Sequence, residues 1–126
     1  MNSKKNIVKI FNQQFNNLLK DLINVYPNLS QLKEYHTQLK VLLITNKNFL
    51  IQVFNQHLYK YKDYIEKKNE DFFLNIDYSK YGDDDVTNQS KIFKNIWKSK
   101  ETTEETKENI WLYFKLFIKL IEKYNE

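Results

Sequence analysis

Residues 102–124 read TTEETKENIWLYFKLFIKLIEKY, and this stretch decides the fold. Thr102 and Glu105 stand at the Thr-x-x-Glu spacing of a capping box, in which each side chain serves a free backbone N–H at a helix start. Glu101, Glu104 and Glu105 lie at the end where the helix dipole favours negative charge, and Lys123 lies where it favours positive charge. From Ile110 onward the helix is apolar over most of its girth, through Trp111, Leu112, Tyr113, Phe114, Leu116, Phe117, Ile118, Leu120, Ile121 and Tyr124. At about 100° per residue, Glu104, Glu108, Lys115, Lys119 and Glu122 share one narrow polar stripe, so the rest of the surface demands burial. Such a helix belongs in the middle of a bundle.

Working back from it, the spacing predicts a first helix from Ser3 to Tyr26. Its buried stripe is Ile7, Val8, Phe11, Phe15, Leu18, Leu19, Leu22 and Tyr26. Pro27 stops it, because the residue before a proline avoids helical geometry. Asn28 is the expected N-cap of a second helix, with Leu29, Leu32, Tyr35, Leu39, Leu42 and Leu43 on its buried side. The polar turn Thr45-Asn46-Lys47-Asn48 leads to a third helix carrying Phe49, Leu50, Val53, Phe54 and Leu58, continued or kinked through Tyr59, Tyr61, Tyr64 and Ile65. Linkers this short imply antiparallel neighbours.

Residues 69–90 read as irregular, with Phe72 and Phe73 plugging the bundle end and Asp77 to Asp85 forming an exposed turn region. Ser90 is an expected cap for a short helix with Ile92, Phe93, Ile96 and Trp97. The expectation is an all-α single domain over residues 1–126. It is a helical bundle of five or six helices around the long C-terminal helix, which packs against the first two.

The chain of 126 residues has a net charge of +4, no cysteine, one glycine (Gly82) and one proline (Pro27). It also lacks alanine and arginine while Lys, Asn, Ile, Phe and Tyr abound, which points to an AT-rich genome. Without cysteine there is no disulfide, thiolate nucleophile or Cys-based zinc site. No secretory signal is expected at the N-terminus, and no membrane association either. The apolar run Ile110 to Ile121 would be roughly 18 Å long against a hydrocarbon core of about 30 Å, with Lys115 and Lys119 inside it. Residues 1–68 carry eleven Lys against four acids, and residues 69–90 carry one Lys against six acids. A basic body of this kind attracts polyanions weakly, but without Arg the bidentate reading of guanine is absent.

Few constellations for chemistry survive scrutiny. Asp77-x-Ser79-x-Tyr81-Gly82 resembles the start of a calcium loop, yet Tyr81 takes a ligand position and Asn88 replaces the bidentate Glu at position twelve. His36 and His57 fall on different predicted helices with no motif around them. One glycine cannot make a phosphate-cradling loop, and no Gly-x-Ser-x-Gly elbow exists. The expectation is therefore no enzyme, no cofactor, no metal and no small-molecule substrate. Two surfaces remain as candidates. Lys91, Lys94 and Lys98 form one helical stripe, and Lys60, Lys62, Lys67 and Lys68 interleave with Tyr59, Tyr61 and Tyr64, a pattern suited to weak, sequence-non-specific nucleic-acid contact. Trp111, Tyr113, Phe117 and Tyr124, wherever part of them stays exposed, are the candidate protein interface.

Four passages carry a family resemblance. They are Ile10-Phe11-Asn12-x-Gln14-Phe15; Leu18-Leu19-Lys20-Asp21-Leu22-Ile23-x-Val25-Tyr26-Pro27-Asn28; Phe72-Phe73-Leu74-x-x-Asp77-Tyr78; and Ile96-Trp97 followed by Ile110-Trp111-x-Tyr113 and Lys119-Leu120-x-Glu122-x-Tyr124. In order and spacing they resemble small helical proteins of uncharacterised activity from nucleocytoplasmic large DNA viruses, the mimivirus-like giant viruses especially. The resemblance implies a viral protein made in the host cytoplasm, located in the virus factory or the virion, and it supplies no catalytic residues. The expected role is that of a non-enzymatic interaction or structural protein with a protein partner or a second copy. The alternative is weak nucleic-acid binding through the lysine stripe.

Overall fold

The computed structural model describes residues 3–75, 91 and 94–126, and these are overwhelmingly helical. Helix α1 spans Lys4–Val25, α2 Ser30–Thr45 and α3 Phe49–His57. A 3-10 turn at Tyr59–Tyr61 then leads to α4, Lys62–Glu66, and to α5, Glu70–Asn75. Helical backbone at 94–98 belongs to α6, and α7 runs Glu104–Asn125. The fold is all-α with a long C-terminal helix, as the sequence predicts.

Helix α1 starts where Ser3 Oγ accepts the Asn6 N–H at 3.2 Å, and its buried stripe matches the apolar periodicity residue for residue. Tyr26 closes it, donating its N–H to the Leu22 carbonyl at 2.9 Å. The next step departs from expectation, because Asn28 does not cap α2. Tyr26-Pro27-Asn28-Leu29 is a turn, closed by the Leu29 N–H on the Tyr26 carbonyl at 3.1 Å, with Pro27 at the second position that its fixed φ suits. The cap residue of α2 is Leu29, with no side-chain hydrogen bond.

A Schellman motif ends α4. The Asn69 N–H donates to the Tyr64 carbonyl at 2.9 Å and the Lys68 N–H to the Ile65 carbonyl at 3.0 Å. This holds Lys68 at φ 53°, the left-handed region that glycine occupies without strain. Asn69 then caps α5 by accepting the Phe72 N–H at 3.1 Å, so residues 70–75 are helical where the sequence reads as irregular. The start of α7 is displaced by one residue. Its cap is Thr103, whose Oγ1 accepts the Thr106 N–H at 3.1 Å. Thr102 instead turns inward, where its hydroxyl donates to the Ile96 carbonyl and meets the Tyr26 hydroxyl, tying the ends of α6 and α1 together.

At the centre, Phe11 and Phe15 of α1, Phe54 of α3 and Phe117 of α7 form a ring cluster with centroid separations of 4.9–5.8 Å. Lys4 of α1 lies over Tyr124, while Asp21 accepts the Tyr113 hydroxyl at 2.8 Å, so α1 and α7 run antiparallel. A smaller cluster of Ile65, Trp111 and Ile118 is sealed by Phe73 and Trp97. Trp97 Nε1–H donates to Glu70 at 2.6 Å, fixing α6 against α5. Ile110, Trp111, Phe117, Ile118, Leu120 and Ile121 are all buried, each stabilising the fold by up to about 1.5–3 kcal/mol.

Two packing expectations need correction. Helix α7 lies against α1, α3 and α4, while α2 docks on α1 instead of on α7. Leu112, which the apolar girth assigns to the interior, is 56% exposed. On the helical wheel it falls next to Lys119, at the edge of the polar stripe.

Candidate functional site

The aromatic quartet expected to form an interface does not reach solvent as a unit. Phe117 is fully buried at 0% exposure and Trp111 is 6% exposed, because α7 commits both to the two core clusters. Tyr113 and Tyr124 are half-buried, and each already has a partner on α1, Asp21 and Lys4 respectively. Burial, then the hydrogen bond and charge of Asp21, push the Tyr113 phenol up to about 12.

The expected lysine surfaces fare differently. Lys91 and Lys98 are exposed and Lys94 is half-buried. In the interleaved stretch, Tyr64 stacks on Phe72 with centroids 3.8 Å apart, and Lys60 and Lys62 lie over Tyr61 and Tyr59. Tyr59 and Tyr61 are half-buried while Tyr64 keeps an exposed side, and Phe72 and Phe73 pack against Tyr61 at the bundle end. The calcium-like stretch from Asp77 onward and the Ser90 cap lie outside the described residues.

His36 bridges α2 to α1, its Nε2–H donating to Asn16 Oδ1 at 2.5 Å. Burial first, then the charges of Lys40 and Lys20, hold its pKa below the usual histidine value. It borders a shallow depression of about 410 Å³ with Lys20, Ile23, Lys33 and Thr37. Among the described residues no group of three or more His, Cys, Asp or Glu could hold a metal ion.

Two features that the sequence pattern did not disclose stand out on the α1–α2 side. The first is the outer face of α2, where Val41 is 63% and Ile44 75% exposed, with Leu42 beside them. Lys40 and Ile44 stand at i, i+4 spacing near the end of α2 and Lys47 follows in the turn, so apolar and basic groups adjoin there. The run Val41-Leu42-Leu43-Ile44 is apolar all round, which suits a core helix equally, and only the docking of α2 on one neighbour leaves this side open. The second is a groove of about 830 Å³ where the start of α1, the α2–α3 corner and the end of α7 meet. Val8, Leu43 and Tyr124 line it with Lys4, Lys5, Lys9 and Lys47. Asn12 holds one rim in place by donating from Nδ2 to the Lys47 carbonyl at 3.0 Å.

No described helix is long and apolar enough to cross a membrane. No family model, curated protein or solved structure matches this chain.

Proposed function

We propose that the protein is a non-enzymatic interaction or structural component of a large DNA virus, acting in the virus factory of the host cytoplasm or in the virion. The family resemblance supports the viral setting. The mode of action rests on one observation, the exposure of Val41 and Ile44 on the outer face of α2. Large adjacent aliphatic side chains left in water at the end of a helix favour a protein contact, which removes them from solvent. A partner protein or a second copy of the chain serves that end equally.

The test is a tagged protein recovered from infected cells, wild type beside Val41→Glu/Ile44→Glu, with light scattering on both purified proteins. A specific protein retained by the wild type and lost by the double variant supports the reading, as does a wild-type dimer that the variant lacks. Equal retention by both proteins, with both strictly monomeric, contradicts it. The melting temperature should be nearly unchanged, because surface substitutions away from special features usually alter stability by no more than about 0.5 kcal/mol.

A second reading, weak and sequence-non-specific nucleic-acid binding, is favoured by the exposure of Lys91 and Lys98. Titration with single- and double-stranded nucleic acid at about 50 and 200 mM salt tests it. A lysine–phosphate contact is tightest at the lower salt, so no binding there ends this reading.

A further inference from the structure

The α1 sequence breaks a local rule where the groove opens. Lys4 and Lys5 occupy its first turn, which holds no acidic residue, and that is the end where the helix dipole disfavours positive charge. Lys5 and Lys9 add a like-charge pair at i, i+4 spacing. Lys47 brings a fourth ammonium to the same rim, at the turn before α3, and no acidic side chain lines the groove. None of the four forms an ion pair with a described residue, whereas Lys68 and Lys107 pair with Glu108 and Glu70. Local rules are broken most often at functional sites, and among the described residues the one contact that offsets these charges is that of Lys4 with the Tyr124 ring.

We infer that this groove receives an acidic amphipathic helix of a partner protein, its apolar stripe on the half-buried Leu43 and Tyr124 and its carboxylates among Lys4, Lys5, Lys9 and Lys47. The inference rests on the protein-interaction reading above and gives that partner a chemistry. Charge agrees, since helix-in-groove recognition sets acids of the ligand against basic rims and apolar anchors against the floor. A nucleic acid fits less well. Its bases need open aromatic faces, and the one ring of the groove, Tyr124, has the Lys4 ammonium 5.2 Å from its centroid.

The test is fluorescence anisotropy with the full chain and three labelled probes. They are an amphipathic peptide of Leu and Glu, the same peptide with Lys in place of Glu, and oligothymidylate. The acidic peptide should bind, lose affinity as salt rises from about 50 to 200 mM, and bind at least tenfold more weakly to Lys5→Glu/Lys9→Glu/Lys47→Glu. Lys5→Glu alone should raise the melting temperature by roughly 1–4 °C, because it puts the favourable charge at the start of α1. Absence of acidic-peptide binding at low salt, binding indifferent to the triple variant, equal binding of the basic peptide or tighter binding of oligothymidylate would each overturn the proposal. So would a fall in melting temperature for Lys5→Glu, which would make that lysine structural. Partner capture that depends on Val41 and Ile44 while the groove variant binds the acidic peptide unchanged leaves the docking reading standing and removes the groove. The opposite pair of results keeps the groove and removes the α2 face.

Discussion

At the scale of single residues, several side chains decide local geometry in ways that can be measured. Lys68 holds φ 53° in a Schellman motif whose position favours glycine, and its ion pair with Glu108 is largely exposed. Lys68→Gly should therefore stabilise the protein by about 0.5–1 kcal/mol in urea unfolding; destabilisation would mean that the pair with Glu108 outweighs the backbone. Burial raises the Tyr35 phenol to about 12. The folded state then keeps a proton that the unfolded chain releases near pH 10, so stability falls as pH rises from 10 towards 12, by on the order of 2 kcal/mol. The Tyr113 phenol, raised as far, adds to the same slope, so Tyr35→Phe should remove only part of it, and an unchanged slope would place the effect on Tyr113. His36 has the opposite sense: its lowered pKa means the unfolded chain takes up a proton first, so stability falls as pH drops below about 6.5. His36→Asn should flatten that acid limb while keeping a polar partner for Asn16.

At the scale of elements, α7 shows how much was legible and where legibility stopped. Its length, its acidic start and its apolar girth were all readable, because helical periodicity and capping chemistry act within a few residues. The cap itself slipped from Thr102 to Thr103, since either threonine offers the same local signal. Only the distant Tyr26 and the Ile96 carbonyl recruit Thr102 away. Asn28 failed as a cap for a similar reason, the Pro27 turn having claimed it. Phe117 and Leu112 make a paired test of the helix. Phe117→Ala should cost about 3–5 kcal/mol, as it empties the shared centre of four rings. Leu112→Lys should stay within about 0.5 kcal/mol, because Leu112 borders the polar stripe and is 56% exposed. A severe loss for Leu112→Lys would show that α7 is covered on that side too.

At the scale of the whole molecule, the apolar residues divide between an interior and an outer face. Those of α1, α3, α4 and α7 close on one another, while α2 docks on α1 and leaves Val41 and Ile44 outside. The division could not be read from the sequence, because the apolar run 41–44 matches a core helix and which neighbour covers it is a tertiary fact. The basic groove was equally hidden: Lys47 is distant in sequence from Lys4, Lys5 and Lys9 and joins them only because α1 and α2 run antiparallel. Of the aromatic candidates on α7, Trp111 and Phe117 go to the core while Tyr113 and Tyr124 keep part of their surface, since aromatic girth signals burial and contact alike. Hydrogen exchange tests this division most directly, run on the isolated protein and on the complex recovered from infected cells. Our account requires the amides of residues 117–121 to be the slowest in both samples, with new protection in the complex confined to residues 40–48 and the first turns of α1. Protection gained over 110–124 instead, or an α7 that exchanges faster than α2 in isolation, would contradict it.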